Sequence, residues 1–187
     1  MNVNTPCILQ VEDDENDVLL LELVFKKAGL ECPLRVVEDG QKAIDYLSGA
    51  GAYADREKFP LPCLVLLDLN LPVRSGLEVL AWIRQHAVFK KLVVVVFSAS
   101  ALQVDVERAC LLGANSFITK PRGFEKTLEI AQLLKGWWLG YNQFAPIEAG
   151  PPIAGTRLLP DEAPSRHSAS LEPAGSPMSG ATAGQTG

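Results

Sequence analysis

The chain has 187 residues, a formal net charge of −5 and 48% hydrophobic side chains, enough for one globular domain with a sizeable core plus a tail. Its mild acidity argues against binding a nucleic-acid backbone, which calls for a basic face, and no apolar stretch approaches the roughly 18 residues of a membrane span. The opening Met1-Asn2-Val3-Asn4-Thr5-Pro6 has neither the basic segment nor the apolar run of a secretion signal, so a cytoplasmic protein is expected.

In chain order, Cys7-Ile8-Leu9-Gln10-Val11 reads as a strand interrupted only by Gln10, and it ends in the acidic cluster Glu12-Asp13-Asp14-Glu15. Val18, Leu21, Phe25 and Ala28 recur at helical spacing, which predicts a helix over residues 16–28 that stops at Gly29. Leu34-Arg35-Val36-Val37 is a second strand. The turn Glu38-Asp39-Gly40 leads into a helix over residues 41–47 with Ala43, Ile44 and Leu47 inward. Residues 48–61 are Gly-rich, then charged, then Pro-flanked, as in a long surface loop.

Leu64-Val65-Leu66-Leu67 is an apolar run of the kind covered on both faces in a parallel sheet, and it runs straight into Asp68. Pro72 and Gly76 mark the turn before a helix over residues 76–85, whose inner face is expected to carry Leu77, Leu80, Ala81 and Arg84. Leu92-Val93-Val94-Val95-Val96-Phe97 is the strongest strand, dominated by β-branched residues, and Ser98-Ala99-Ser100 ends it. Leu102, Val106, Ala109 and Cys110 outline the next helix. Ser116-Phe117-Ile118-Thr119 is a short fifth strand ending in Lys120-Pro121, and the last helix is expected from Gly123 to about residue 139.

Five strands alternating with helices predict a doubly wound α/β fold. The sheet is five-stranded and parallel, in the flavodoxin-like order 2-1-3-4-5, with helices on both faces. This unit is expected to span residues 1–145. The 42 residues 146–187 hold seven prolines, six glycines, five serines and no aromatic residue, too little to offset the entropy of ordering, so a disordered tail is expected. Cys7, Cys32, Cys63 and Cys110 are scattered, with no Cys-x-x-Cys spacing, and read as small side chains in a reducing compartment.

The strand ends share a chemistry. The first contributes Glu12 and Asp13, the third Asp68, the fourth Ser98 and the fifth Lys120. Singly each has a plain explanation: Asp13 or Asp14 suits the cap of the first helix, Ser98 or Ser100 that of the fourth, and Lys120 a solvated end. Together they put three mutually repelling carboxylates at one sheet edge, which calls for a cation. Oxygen donors in an open site suit Mg²⁺. Lys120 and the Ser98 hydroxyl can hold further phosphoryl oxygens, and Asp68, on the middle strand of the crevice, is placed to attack phosphorus.

Val11-Glu12-Asp13-Asp14, Asp68-Leu69-Asn70-Leu71-Pro72 with Gly76, Phe97-Ser98-Ala99 and Thr119-Lys120-Pro121 resemble the receiver domain of bacterial two-component response regulators, over roughly residues 5–140. The long loop after the second helix, Leu69-Asn70-Leu71-Pro72 and the aromatic end of the last helix resemble the single-domain regulators that partner phytochromes. The resemblance implies that Asp68 is the phosphoacceptor. It also implies that Asp13 binds Mg²⁺ directly, Glu12 through water and Asn70 through its backbone carbonyl. Ser98 is then the switch hydroxyl, Lys120 the phosphoryl contact (with a Lys120–Pro121 bond that is often cis in the family) and Phe117 the switch aromatic. Asn70 and Ser100 flank the site where the family tunes dephosphorylation. Two positions depart from the commonest pattern: Glu12 stands where Asp is frequent, and Ser98 where Thr is.

The resemblance implies a histidine-kinase partner, such as a bacteriophytochrome, with autodephosphorylation but no enzymatic turnover of substrates. No helix-turn-helix or basic run follows, so output through protein contacts is expected. On the last helix Phe124, Leu128 and Ala131 form one apolar stripe and Ile130, Leu134, Trp137 and Tyr141 another. Trp137 and Trp138 point about 100° apart. Either one packs on the core and the other on residues 140–145, or the surplus face forms a homodimer. A phosphatase of the haloacid dehalogenase type also uses a strand-end Asp but needs a second Asp two residues on, where this chain has Asn70. A degenerate receiver acting as a constitutive adaptor is the other alternative.

Overall fold

A computed structural model describes residues 7–147. Its strands are β1 (Cys7–Val11), β2 (Leu34–Val37), β3 (Pro62–Leu67), β4 (Val93–Ser98) and β5 (Ser116–Thr119). The helices are α1 (Glu15–Lys27), α2 (Gly40–Ser48), α3 (Gly76–Gln85), α4 (Gln103–Leu111) and α5 (Phe124–Leu134), the last followed by a π-helical segment, Lys135–Tyr141. All strand pairings are parallel and the order is β2-β1-β3-β4-β5, as the alternating pattern predicts.

Strand alternation divides the core into two layers. Leu9, Val11, Val65, Leu67, Val94 and Val96 pack against α2 and α3 through Ala43, Tyr46, Leu47, Val79, Leu80 and Ile83. Ile8, Leu64, Leu66, Val95 and Phe97 face the other way, against Leu21, Val24 and Phe25 of α1 and Leu128, Ala131 and Leu134 of α5. Gln10 shares that second face. It is buried, and neither atom of its amide has a hydrogen-bond partner among the described residues.

The helical faces shift in places from those expected. On α3 the buried residues are Gly76, Val79, Leu80 and Ile83, so Leu77, Ala81 and Arg84 flank the stripe. Arg84 instead spans elements: Nε donates to the Gly113 carbonyl (2.8 Å), Nη1 to that of Leu92 (2.9 Å) and Nη2 to Asn115 Oδ1 (2.8 Å). On α4 only Ala109 is buried, and Leu102 and Cys110 are exposed. The last helix does not continue as one α-helix to residue 139. It widens into the π-helical segment, where the Asn142 N–H donates to the Trp137 carbonyl (2.9 Å). Trp138 packs on the second core layer, whereas Trp137 and Tyr141 are 66% and 83% exposed. The tail expected from residue 146 lies outside the described residues apart from Pro146 and Ile147, and Ile147 packs against the first layer.

The loop over residues 48–61 is built, not merely solvated. It contains a 3₁₀ turn, Gly51–Tyr53, and its Tyr53 and Phe59 form an aromatic cluster with the buried Tyr46, whose hydroxyl donates to the Pro60 carbonyl (2.9 Å). Gly49 ends α2 at φ 73°, a left-handed conformation. A side chain there would also collide with Arg56, 2.8 Å away. Arg56 Nη1 donates to the Tyr46 carbonyl (2.7 Å), which also accepts from the Gly49 N–H (3.3 Å), and Nη2 donates to that of Leu47 (2.6 Å), so the guanidinium satisfies carbonyls at the end of α2. Arg56→Met keeps the aliphatic stem and removes these charge-assisted bonds. It is expected to cost about 2 kcal/mol, read as a lower urea midpoint with unchanged slope.

Candidate phosphoryl and metal site

The site residues stand one step past the strands, and the sheet's own hydrogen bonds hold them there. The Glu12 N–H donates to the Val37 carbonyl (3.0 Å), Asp68 N–H to that of Val11 (3.1 Å) and Lys120 N–H to that of Ser98 (2.8 Å). Each is thus in register with its neighbour although the apolar run has ended. Asp14, and not Asp13, caps α1: its Oδ1 accepts from Asn16 N–H at 2.8 Å. Asp13 is exposed and remains available.

Asp68 is 6% exposed and densely contacted. Its Oδ1 accepts from Ser98 Oγ (2.5 Å) and from the Leu69 N–H (2.6 Å), and Lys120 Nζ lies 3.1 Å from Oδ2. The turn that follows is fastened from behind by Gly76, whose N–H donates to the Leu69 carbonyl (2.9 Å). A Cβ on Gly76 would stand 2.0 Å from the Asp68 carbonyl oxygen, so only glycine lets α3 start this close to the site. Between them Val73 has φ 65° and Arg74 N–H donates to the Pro72 carbonyl (2.7 Å), a tight γ-turn.

Lys120 makes three ion pairs: with Glu12 at 2.5 Å, Asp17 at 2.7 Å and Asp68 at 3.1 Å. Burial opposes its charge, but the bonds to Asp17 and Glu12 and the charge of Asp68 outweigh that and raise its pKa. Burial pushes the carboxyl of Glu12 above its ordinary value, against the pull of Lys120. Asp17 escaped the sequence reading. The available signal was its place in the first turn of the helix that follows the acidic cluster.

One carboxylate oxygen each from Glu12, Asp13 and Asp68 lie within 4.8 Å of one another. These hard oxygen donors, two of them buried and one exposed, suit a divalent cation that keeps part of its water. With Asp17 there are four carboxylates against one ammonium, so the charge balance favours a cation as well. Other candidates lie further out. Asn70 is exposed, and its N–H stands 3.4 Å from Asp68 Oδ1. Ser100 Oγ donates to Asp105 Oδ2 at 2.5 Å. Phe117 is half-buried and packs against the first core layer. The Lys120–Pro121 bond is trans, as are all described peptide bonds.

Residues 8–132 match the family model of the response regulator receiver domain. The chain is 37% identical over 132 residues to the response regulator Rcp1 of Synechocystis sp., covering 71% of this chain and 88% of Rcp1. Two solved structures resemble it closely. The Mn²⁺-bound form of Rcp1 has a TM-score of 0.69 at 35% identity. The phosphorylated cyanobacterial phytochrome response regulator RcpA has 0.70 at 32% identity. Each comparison covers 75% of this chain and 99% of the other. The chain belongs to the response regulator receiver family. It is a phosphoacceptor regulator of two-component signalling with a sensor kinase as partner, and not a classical enzyme.

The carboxylate group supplies the hard oxygen donors that a divalent metal takes. At a concentration 100 times its dissociation constant, the metal is expected to raise unfolding free energy by about 2.7 kcal/mol. Asp13→Asn removes an exposed carboxylate of this group without disturbing the core. Thermal melts of that variant are expected to respond only weakly to added metal.

Proposed function

We propose that Asp68 is the residue that takes up the phosphoryl group, and that Mg²⁺ is the metal that serves it. The observation that carries this reading is the pair of contacts on the Asp68 carboxylate, with the Ser98 hydroxyl at one oxygen and the Lys120 ammonium at the other, beside Glu12 and Asp13. An oxygen of Asp68 attacks the phosphorus of a phosphohistidine on the kinase. A P–O bond forms as the P–N bond breaks, and the imidazole leaves. Asp13 and Asp68 would hold Mg²⁺ directly, Glu12 through water and Asn70 through its carbonyl. When bound, the metal neutralises charge on the phosphoryl oxygens. Lys120 holds a further oxygen, at the expense of its bonds to the carboxylates.

Ser98 then follows the phosphoryl group, and Phe117, half-buried already, packs further inward as β5 adjusts. Asn70 and Ser100, which flank the site, set how fast the aspartyl phosphate hydrolyses by itself. The receiver is read as residues 1–145, acting in the cytoplasm. The likeness to a phytochrome response regulator supports a bacteriophytochrome kinase as partner. Output runs through protein contacts and not through nucleic acid. Leu133, Trp137 and Tyr141, all strongly exposed near the end of the last helix, support a homodimer there.

Two measurements test this reading. Acetyl phosphate or beryllofluoride is expected to modify the protein only with Mg²⁺ present, and Asp68→Asn to lose all uptake. Failure of the parent protein to take up either reagent would leave a constitutive adaptor. In sedimentation at micromolar concentration the parent chain is expected to dimerise and Trp137→Glu to stay monomeric. A parent chain that is monomeric both with and without beryllofluoride would remove the dimer.

A further inference from the structure

The ammonium of Lys120 carries three N–H donors, and three carboxylate oxygens take them: Glu12 Oε2 at 2.5 Å, Asp17 Oδ2 at 2.7 Å and Asp68 Oδ2 at 3.1 Å. The bond to Asp68 is the longest, so the ammonium is held mainly by the other two. Phosphorylation turns the Asp68 carboxylate into an uncharged acyl group and puts strongly accepting oxygens on phosphorus, so the ammonium has to be shared anew. Glu12 and Asp17 then compete with those oxygens, and the two differ in what their release costs. The Glu12 side chain is 2% exposed, and without Lys120 its carboxylate would stay buried with that hydrogen bond lost. The Asp17 side chain is 37% exposed, so water can take over its bond. Asp17 also lies in the first turn of α1, where the helix dipole favours a negative charge whether or not it is paired. It stands outside the group Glu12, Asp13 and Asp68 that suits a metal, so its tie to the site runs through Lys120.

We propose that Asp17 is a positioning residue that competes with the phosphoryl group for Lys120, an inference that rests on the reading of Asp68 as the phosphoacceptor. In the resting chain Asp17 shares the ammonium with Glu12 and Asp68. When the phosphoryl group arrives, the N–H that pointed at Asp17 turns to a phosphoryl oxygen, and the Asp17 carboxylate turns to water. Glu12 keeps its bond and holds the lysine at the site. Asp17 thus lowers the affinity for the phosphoryl group without touching it, and the exchange of its one bond carries phosphorylation at the end of β3 to the start of α1.

The test is a calorimetric titration of the full chain with beryllofluoride, a phosphoryl mimic, at saturating Mg²⁺ for each variant. Asp17→Asn keeps the size of the side chain and removes its charge. It is expected to tighten beryllofluoride binding roughly fivefold, the upper range for an ion pair this exposed. A residue that merely supports the fold would weaken binding when changed. Asp17→Glu puts a carboxylate back within reach of Lys120 and is expected to return the affinity toward that of the parent. Glu15→Gln removes one charge from the same helical turn, and Glu15 is not among the partners of Lys120. It is expected to change the affinity by less than about twofold, because water and salt screen an exposed charge that makes no direct bond. Binding by Asp17→Asn that is equal to or weaker than the parent's overturns the role of Asp17, and so does an equal gain from Glu15→Gln. In either case a parent that binds and an Asp68→Asn variant that does not would leave the phosphoacceptor reading standing. A parent that binds no beryllofluoride removes that reading and the role of Asp17 with it.

Discussion

The ammonium of Lys120 is the interaction on which the rest of the site depends. Glu12, Asp17 and Asp68 converge on it within 3.1 Å, and two of those three carboxylates are buried. Buried like charges at that spacing repel strongly and lose hydration, so without a cation they could not share the edge of the sheet. Lys120 meets part of this demand, and the divalent metal proposed for the site would meet the rest. The same cation is the natural partner of an incoming phosphoryl group. The site is thus held together by a charge balance that the addition of a phosphoryl group changes.

The fold supplies the rigidity this balance requires. The strand ladders continue one residue beyond the apolar runs, so the backbones of Glu12, Asp68 and Lys120 are fixed by β2, β1 and β4 in turn. Behind Asp68, Gly76 lets α3 begin against the turn with no side chain between them. The tightest parts of the molecule therefore lie next to its most highly charged part. The features with room to change lie further out: the exposed end of the last helix, the half-buried Phe117 and the hydroxyl of Ser100 on Asp105.

Much of this was legible beforehand. The apolar runs of β1, β3 and β4 predict buried parallel strands. The polar residue closing each run marks the carboxyl-end edge, so Glu12, Asp13, Asp68, Ser98 and Lys120 could be grouped before any coordinates. Local signals were weaker where a residue's role depends on a distant partner. Arg56 looked like part of a charged surface loop, because nothing nearby in the sequence reveals that its guanidinium caps α2. Arg84 looked like the end of an apolar stripe, yet it ties α3 to Leu92, just before β4, and to the α4–β5 connection. Asp17 was one acid among several in the first helical turn until Lys120, 103 positions away, singled it out.

The sequence by itself determined the order of elements, the parallel sheet and the chemical identity of the strand-end residues, since hydrophobic period and chain reversal are local properties. Only the tertiary structure decided which acids share Lys120 and that the last helix widens so that Trp138 packs inward while Trp137 faces out. These outcomes depend on through-space distances between elements, and those are set by sheet register and helix docking, which no short stretch of chain encodes.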